Sequence, residues 1–142
     1  MIQLEPDYIK IPSQKNLKLD MYDIICNEFA GDIHISSGMT TDDQVDDLLN
    51  EIGKRTSLKR VVLYCTTSNY PCECKDLHLL RISQFYNRYE DQIKGFGFSG
   101  HHNGIAADTT AVALGAEFVE RHFTLDRTWK GLIIPLALSH KG

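Results

Sequence analysis

Short runs of apolar and β-branched residues alternate along this chain with longer amphipathic segments. The short runs predict strands, because β-branched and aromatic residues favour the pleated backbone. They occupy five stretches of the sequence: 8–11, 32–36, 60–64, 94–98 and 118–123. Apolar residues spaced three and four positions apart predict helices between them, over 19–29, 41–54, 76–89 and 105–114. This alternation of strand and helix is typical of repeated βα units with parallel strands.

Parallel βα units form either an open doubly wound sheet or part of a (β/α)₈ barrel, and periodicity does not separate the two. The polar residues favour the barrel, because nearly every predicted strand ends in a polar cluster. A barrel gathers catalytic groups from several strands at its carboxyl-terminal rim, whereas an open sheet concentrates them at one crevice. A complete barrel needs about 250 residues. We therefore expect an α/β fold in which 1–131 form a partial TIM-type barrel, strands four to eight.

Composition and charge argue against some classes of binding partner. The chain of 142 residues has a net charge of −4 and a sequence pI near 5.8, which argues against a nucleic acid or an anionic membrane as partner. No stretch approaches the roughly 18 apolar residues that span a bilayer, and the N-terminus lacks a basic segment before an apolar run. These features favour the cytoplasm. Only Cys72 and Cys74 form a close cysteine pair, so we expect free thiols rather than a zinc site.

Two histidines follow consecutive predicted strands. His101 lies in the glycine-rich stretch 95–104, and His122 comes at the end of the next strand. Glycines let backbone amides approach an anion, although the same pattern also suits a plain tight turn. Neighbouring strands of a barrel end side by side, so the two imidazoles can reach one divalent metal ion. The alternative is that each histidine is a structural residue held by hydrogen bonds.

A second group of residues is of the type that binds phosphate and carboxylate. Its members stand at three predicted strand ends: Lys10, Ser13, Ser36, Ser37 and Ser99. An ammonium group supplies compact charge and hydroxyls supply directional donors, which suits a small doubly anionic metabolite. The alternative is a solvated lysine beside serines that cap helices. We expect Tyr70 in a rim loop where it can contact a sugar. Glu120 and Arg121 are either reactive groups or an ion pair at the rim, and the structural interpretation is favoured for Arg121.

Five sequence motifs stand in order along the chain. They are Ile35-Ser-Ser-Gly-Met39, Thr67-Ser-Asn-Tyr-Pro71, Gly97-Phe-Ser-Gly-His101, Ala111-Val-Ala-Leu-Gly-Ala116 and Glu120-Arg-His-Phe-Thr-Leu-Asp-Arg-Thr-Trp-Lys-Gly131. Together they resemble the N-acetylneuraminate (sialic acid) synthase family, over 8–131. The resemblance implies a (β/α)₈ barrel followed by a small antifreeze-like domain, with full-length members working as domain-swapped homodimers.

The resemblance also implies a reaction and a set of site residues. The family condenses phosphoenolpyruvate with N-acetylmannosamine or a related amino sugar and uses a divalent metal, Mn²⁺ or Mg²⁺. By motif position, His101 and His122 would bind the metal and Tyr70 would contact the sugar. Phosphoenolpyruvate contacts would come from Lys10, Ser13, Ser36, Ser37, Ser68 and Ser99, with Lys10 also catalytic. Lys15 stands where many members carry a sugar-binding glutamate, so legionaminic- and pseudaminic-type products stay open.

The segment 132–142 departs from the family pattern. It reads Leu-Ile-Ile-Pro-Leu-Ala-Leu-Ser-His-Lys-Gly, and a single-base deletion in a family-like message would produce this reading. On that hypothesis Ile133 occupies the place of a sugar-binding aspartate. Together with the absence of strands one to three, this predicts little or no synthase activity for the chain alone. The alternative function is that of a non-catalytic remnant that binds metal or phosphate.

Overall fold

The computed structural model describes residues 5–126, 128 and 137–139. Its strands are β1 (Tyr8–Ile11), β2 (Asp32–Ser36), β3 (Val61–Thr66), β4 (Gly95–Ser99) and β5 (Phe118–Glu120). Its helices are α1 (Leu19–Glu28), α2 (Asp42–Gly53), α3 (Leu80–Tyr89) and α4 (Ala106–Ala113). No helix within these described residues is both long and apolar enough to cross a bilayer.

The five strands form one parallel sheet in chain order, β1-β2-β3-β4-β5. Each strand pairs with the next in the chain, for example Lys10 with His34 and Thr66 with Ser99. A doubly wound sheet reverses its strand order at a switch point, whereas a barrel keeps neighbours in sequence. The observed order therefore favours the partial barrel over the open sheet.

The two faces of the sheet differ in chemistry because successive residues of a strand point to opposite sides. One face carries apolar residues that pack with the helices in a buried core: Ile9, Ile11, Ile33, Ile35, Leu63, Phe96 and Phe98. The helices contribute residues such as Leu48, Ile52, Ile82 and Phe85 to the same core. The opposite, concave face carries mostly polar or aromatic residues: Lys10, His34, Ser36, Tyr64, Thr66, Ser99 and Glu120. The fold thus places its reactive side chains on the face that the helices do not cover.

Local interactions explain how one helix is fixed behind its strand. Thr41 is the N-cap of α2, where its side chain accepts a hydrogen bond from the Gln44 backbone and Gln44 bonds back to the Thr41 amide. This reciprocal capping satisfies two amides that the first helical turn leaves without partners. Asp42 and Asp43 add negative charge where the helix dipole is positive. The α2 start is therefore well defined just beyond the end of β2.

Three predicted elements differ from the structure by two residues or more at one end, and four others by one residue. β3 extends to Thr66, beyond the predicted 60–64, which brings the Thr66 side chain onto the concave face. α3 begins at Leu80 rather than at 76, because His78 has a φ of 50° that a helix does not accommodate. β5 ends at Glu120 instead of 123, so that His122 follows the strand.

The last described residues lie beside the end of β5. Leu138 forms a parallel bridge with Phe123, with the Leu138 amide donating to the His122 carbonyl at 2.8 Å and the Thr124 amide donating to the Leu138 carbonyl at 2.9 Å. Most of the predicted altered tail, 132–136 and 140–142, lies outside the described residues, as do Trp129 and Lys130. The domain limit at 131 and the single-base deletion therefore stay predictions.

Candidate active site

The carboxyl-terminal ends of the five strands surround an open cleft of about 380 Å³. Seven of the nine predicted site residues line it: Lys10, Ser13, Ser36, Tyr70, Ser99, His101 and His122. They come together because parallel strands end at the same edge of the sheet, so residues distant in sequence become neighbours. The other two, Ser37 and Ser68, do not line the cleft.

Lys10 lies at the end of β1 and forms an ion pair with Glu120 at the end of β5. Glu120 also accepts a hydrogen bond from the Ser99 hydroxyl at 3.2 Å. Burial lowers the pKa of the Lys10 ammonium, and the hydrogen bond and negative charge of Glu120 oppose that shift. The cleft therefore holds a positive charge next to a hydroxyl, with a carboxylate that touches both.

His101, His122 and Tyr70 form an aromatic group at one side of the cleft. The imidazoles of His101 and His122 are stacked, with ring centroids 5.4 Å apart and planes at 27°. Tyr70 lies 4.2 Å from the His101 ring and 6.2 Å from that of His122. His101 Nδ1 is 2.8 Å from the Thr67 carbonyl. Because a carbonyl only accepts, Nδ1 carries the proton and Nε2 keeps its lone pair.

Two serine hydroxyls lie close to the backbone at Gly38. A Cβ at Gly38 would lie 2.5 Å from the Ser13 hydroxyl and 2.5 Å from the Ser68 hydroxyl, so both side chains converge on this glycine. The buried hydroxyls of Ser37 and Ser68 have no hydrogen-bond partner among the described protein atoms. Buried hydroxyls without partners are uncommon, and they are suited to accepting or donating to a ligand. Ser68 thus lies beside Ser13 although it does not line the cleft.

Of the two interpretations open for Glu120 and Arg121, the structure does not contain the ion pair between them, since Glu120 pairs with Lys10. Because adjacent strand residues point to opposite faces, Glu120 turns into the cleft and Arg121 turns away from it. Arg121 pairs instead with Asp108, its Nη1 lying 2.5 Å from Oδ2, and donates to the carbonyls of His102 and Gly104. The interaction is structural as expected, but the partner is different.

Glu120 and Thr66 are two of the four cleft residues that the sequence prediction did not assign to the site, the others being Pro12 and Gln14. Glu120 and Thr66 both line the cleft, and the Thr66 hydroxyl is buried without a hydrogen-bond partner in the described protein. The signal that could have found them is the two-residue strand period. Counting by twos from Tyr64 reaches Thr66, and counting by twos from Phe118 reaches Glu120.

The two histidines fit a divalent metal in their chemistry. His101 is buried, which lowers its pKa and favours the neutral imidazole that binds metals. Its Nδ1–H is fixed by a backbone carbonyl, the usual orienting contact of a metal-binding histidine. Within the described residues no group of three or more histidine, cysteine or acidic side chains is placed to hold an ion. Two imidazole nitrogens alone would leave most coordination positions of an ion to water or substrate.

A larger groove of about 650 Å³ lies on the outer, helical side of the sheet. It is bordered by Asp42, His78, Leu80, Arg81 and Thr110. Arg81 in this groove is already paired with Asp42 at 2.8 Å. None of the converging strand-end residues reaches it, so the smaller cleft is the better candidate for chemistry.

Parallel strands in chain order, helices on one face and a polar cleft at the carboxyl ends define an α/β protein of the TIM-barrel type, here a half-barrel. Residues 1–141 match the NeuB family, and the chain belongs to it. The same fold occurs in the crystal structure of N-acetylneuraminic acid (sialic acid) synthetase from Leptospira borgpetersenii. The two align with a TM-score of 0.87 and 24% identity, over 98% of this chain and 47% of that one.

Curated relatives carry the names of nonulosonic acid synthases. Human N-acetylneuraminate-9-phosphate synthase is 42% identical over 97 residues, which cover 68% of this chain and 26% of the human protein. The N,N'-diacetyllegionaminic acid synthase of Legionella pneumophila is 30% identical over 135 residues, which cover 92% of this chain and 36% of the relative. The chain thus spans about a quarter to a third of the length of these relatives. The comparisons confirm the predicted family and the partial barrel.

Proposed function

We propose that this cleft serves the condensation of phosphoenolpyruvate with N-acetylmannosamine or a related amino sugar, which gives a sialic-acid-type nonulosonic acid and phosphate. The observation that carries the proposal is the convergence of one lysine, several hydroxyls and two stacked imidazoles at one rim of the sheet. The synthase names of the relatives support the same kind of reaction.

Phosphoenolpyruvate would bind at the side of the cleft formed by β1, β2 and β4. Lys10 offers an ammonium group for its phosphate, and Ser13 and Ser36 offer hydroxyl donors around it. The Ser99 hydroxyl would join them by giving up its bond to Glu120. The buried hydroxyls of Ser37 and Ser68 would supply further donors beside Gly38. In this arrangement Lys10 stabilises the negative charge of the phosphate as it leaves.

The amino sugar would bind at the opposite side, next to Tyr70, His101 and His122. His101 and His122 would hold the metal, and a bound Mn²⁺ or Mg²⁺ would polarise the aldehyde oxygen of the sugar as a Lewis acid. A carbon–carbon bond forms between the enol carbon of phosphoenolpyruvate and the aldehyde carbon; water then adds to the phosphate-bearing carbon and phosphate departs. Tyr70 would contact the sugar with its ring and hydroxyl, since its ring lies against His101.

Two binding measurements and one rate test this proposal. Calorimetry of the purified chain should show Mn²⁺ binding that is lost in His101→Ala and His122→Ala, and phosphoenolpyruvate binding that is lost in Lys10→Met. His78→Asn is the matched control, because His78 is exposed and lies outside the cleft. Phosphate release that requires both substrates measures turnover, which we expect to be low for this chain alone. Retention of Mn²⁺ affinity in both alanine variants would exclude the proposed metal site.

A binding function without turnover is the second candidate. It is favoured by the two outer strands: within the described residues, β1 and β5 each pair with only one other strand of the sheet. A site built on an incomplete barrel can keep its donors while losing the enclosure that chemistry requires. Metal and phosphoenolpyruvate binding with no detectable phosphate release would favour this candidate. Turnover by the wild-type chain would favour the synthase.

A further inference from the structure

The ammonium group of Lys10 lies against an aromatic ring. Its Nζ is 4.3 Å from the centroid of the Tyr64 ring, within the range in which a cation is attracted to an aromatic face. The Lys10 side chain is 20% exposed, so this attraction is only partly screened by water. Tyr64 and Glu120 therefore both contact the same ammonium, one through its ring and the other through its carboxylate.

Contacts with His34 and its aromatic neighbours fix the position of the Tyr64 ring. Tyr64 Oη and His34 Nδ1 are hydrogen bonded at 2.9 Å, and His34 is only 3% exposed. His34 stacks on Tyr8 with centroids 4.2 Å apart and meets the Phe118 ring edge-on at 5.2 Å. Packed aromatic groups of this kind have few alternative rotamers. The ring that carries Lys10 is thus held in one position by residues of three other strands.

The neighbouring strand makes room for the Tyr64 ring at Gly97. A Cβ at Gly97 would lie 2.5, 2.6 and 2.9 Å from three carbons of that ring. Non-bonded carbon atoms in proteins do not come this close. Gly97 pairs directly with Tyr64 in the sheet, so any larger residue there would push the ring away. The glycine on this strand is therefore required by the ring and not by the backbone conformation.

We propose that Tyr64 is a positioning residue for Lys10, and that Gly97 and His34 keep the Tyr64 ring where it can do this. An ammonium group has three N–H donors. With its approach restricted by the Tyr64 ring and by Glu120, the ammonium directs its free donor capacity into the cleft. The role of Lys10 in binding phosphoenolpyruvate rests on the proposed function, whereas its position over the ring does not.

Two Tyr64 variants separate the ring from its hydroxyl. Tyr64→Phe loses the bond to His34 but keeps the ring, and Tyr64→Leu loses both. In protein labelled with ¹³C-lysine, the Hε resonance of Lys10, assigned by its loss in Lys10→Met, should be shifted upfield by the ring current. We expect the shift to persist in Tyr64→Phe and to vanish in Tyr64→Leu. A Lys10 resonance that is the same in Tyr64→Leu and wild type would overturn the proposal.

A pair of glycine variants tests the same idea without altering Tyr64. Gly97→Ala should displace the ring and reduce the upfield shift of Lys10. Gly95→Ala is the matched control on the same strand, since its Cβ would mainly meet the flexible end of the Glu117 side chain, at 2.7 Å. Equal Lys10 shifts in Gly97→Ala and Gly95→Ala would count against the proposal, even if Tyr64→Leu fails to fold.

Ligand affinity provides a readout that separates this inference from the proposed function. In calorimetry with phosphoenolpyruvate, we expect Tyr64→Leu to bind about tenfold more weakly than Tyr64→Phe, because one cation–π contact is lost. Equal affinities of the two variants would contradict a positioning role. If the wild-type chain does not bind phosphoenolpyruvate, the proposed function fails. The ring-current comparison still decides whether Tyr64 positions Lys10.

Discussion

Arg121 and Asp108 form a nearly buried ion pair, with Nη1 and Oδ2 2.5 Å apart and side chains 5% and 15% exposed. The pair joins the end of β5 to α4. Arg121 also donates to the His102 carbonyl at 2.7 Å and the Gly104 carbonyl at 2.8 Å. It therefore ties together the two segments from which the cleft histidines project.

Replacing Arg121 with methionine should strongly destabilise the chain. The substitution leaves the Asp108 carboxylate buried without its cation, which costs about 3 kcal/mol or more of unfolding free energy. Urea unfolding followed by circular dichroism measures this. Lys75→Met is the control, because Lys75 and Glu73 form an exposed pair and its loss should have no measurable effect. If Arg121→Met and Lys75→Met have equal free energies of unfolding, the Arg121–Asp108 pair stabilises the fold no more than an exposed pair does.

Glu120→Gln should strengthen the binding of phosphoenolpyruvate. The carboxylate of Glu120 competes with an anionic ligand for the Lys10 ammonium, while a glutamine oxygen still accepts from Ser99. Removing this charge should tighten binding by about fivefold, since the Glu120 side chain is partly exposed and screened. Calorimetry measures the change, with Glu117→Gln as the control for an exposed acid outside the cleft. Weaker binding in Glu120→Gln would show that Glu120 assists the ligand instead.

Gly38→Ala should weaken phosphoenolpyruvate binding by about tenfold through displaced hydroxyl donors. The added methyl group would lie 2.5 Å from the hydroxyls of Ser13 and Ser68, so both must move. Gly53→Ala is the control: its methyl group would make an ordinary contact with Leu58 at 3.6 Å. In a helix this change should stabilise by about 0.5–1 kcal/mol. Unchanged ligand affinity in a folded Gly38→Ala variant would remove these hydroxyls from the site.

The cysteines should differ widely in their reactivity toward a thiol reagent. Cys74 is exposed and should react first, whereas burial raises the pKa of Cys65 to about 11. At pH 8, below that pKa, only on the order of one Cys65 in a thousand is a thiolate. Burial also raises the pKa of Cys72. A disulfide-exchange assay should show one fast phase that Cys74→Ser abolishes. Rapid reaction of Cys65 in the native chain would contradict its burial.

The strands were predictable because their apolar and β-branched runs are short and regularly spaced, and the polar residues at the strand ends favoured the barrel order. The predicted 8–11 and 32–36 coincide with β1 and β2, and the helix period located α2 to within one residue at each end. The start of α3 was not predictable. His78 adopts a left-handed backbone that no local sequence signal announces, since glycine or asparagine usually marks such a position.

Cleft residues that stand at or after the end of a strand could be assigned from the sequence. Residues within a strand were harder to assign to the cleft. Ser99 and His101 stand out next to glycines, whereas the contact of Glu120 with Lys10 joins two residues that are distant in sequence. Tyr64 was assigned only to a strand, because its contact with Lys10 depends on Gly97 in another part of the chain. Contacts between strands of distant sequence arise from tertiary packing, which periodicity does not encode.

The alternation of apolar and polar residues along each strand has an evolutionary consequence. Residues of each strand that pack against the helices form the core, and residues one position away face the opposite side, where Lys10, Ser36, Thr66, Ser99 and Glu120 line the cleft. A change at Ser36 or Thr66 can therefore alter ligand preference while Ile35 and Cys65, their sequence neighbours, preserve the core. Substitutions at alternate codons of a strand can therefore change the lining of the cleft and leave the core residues intact.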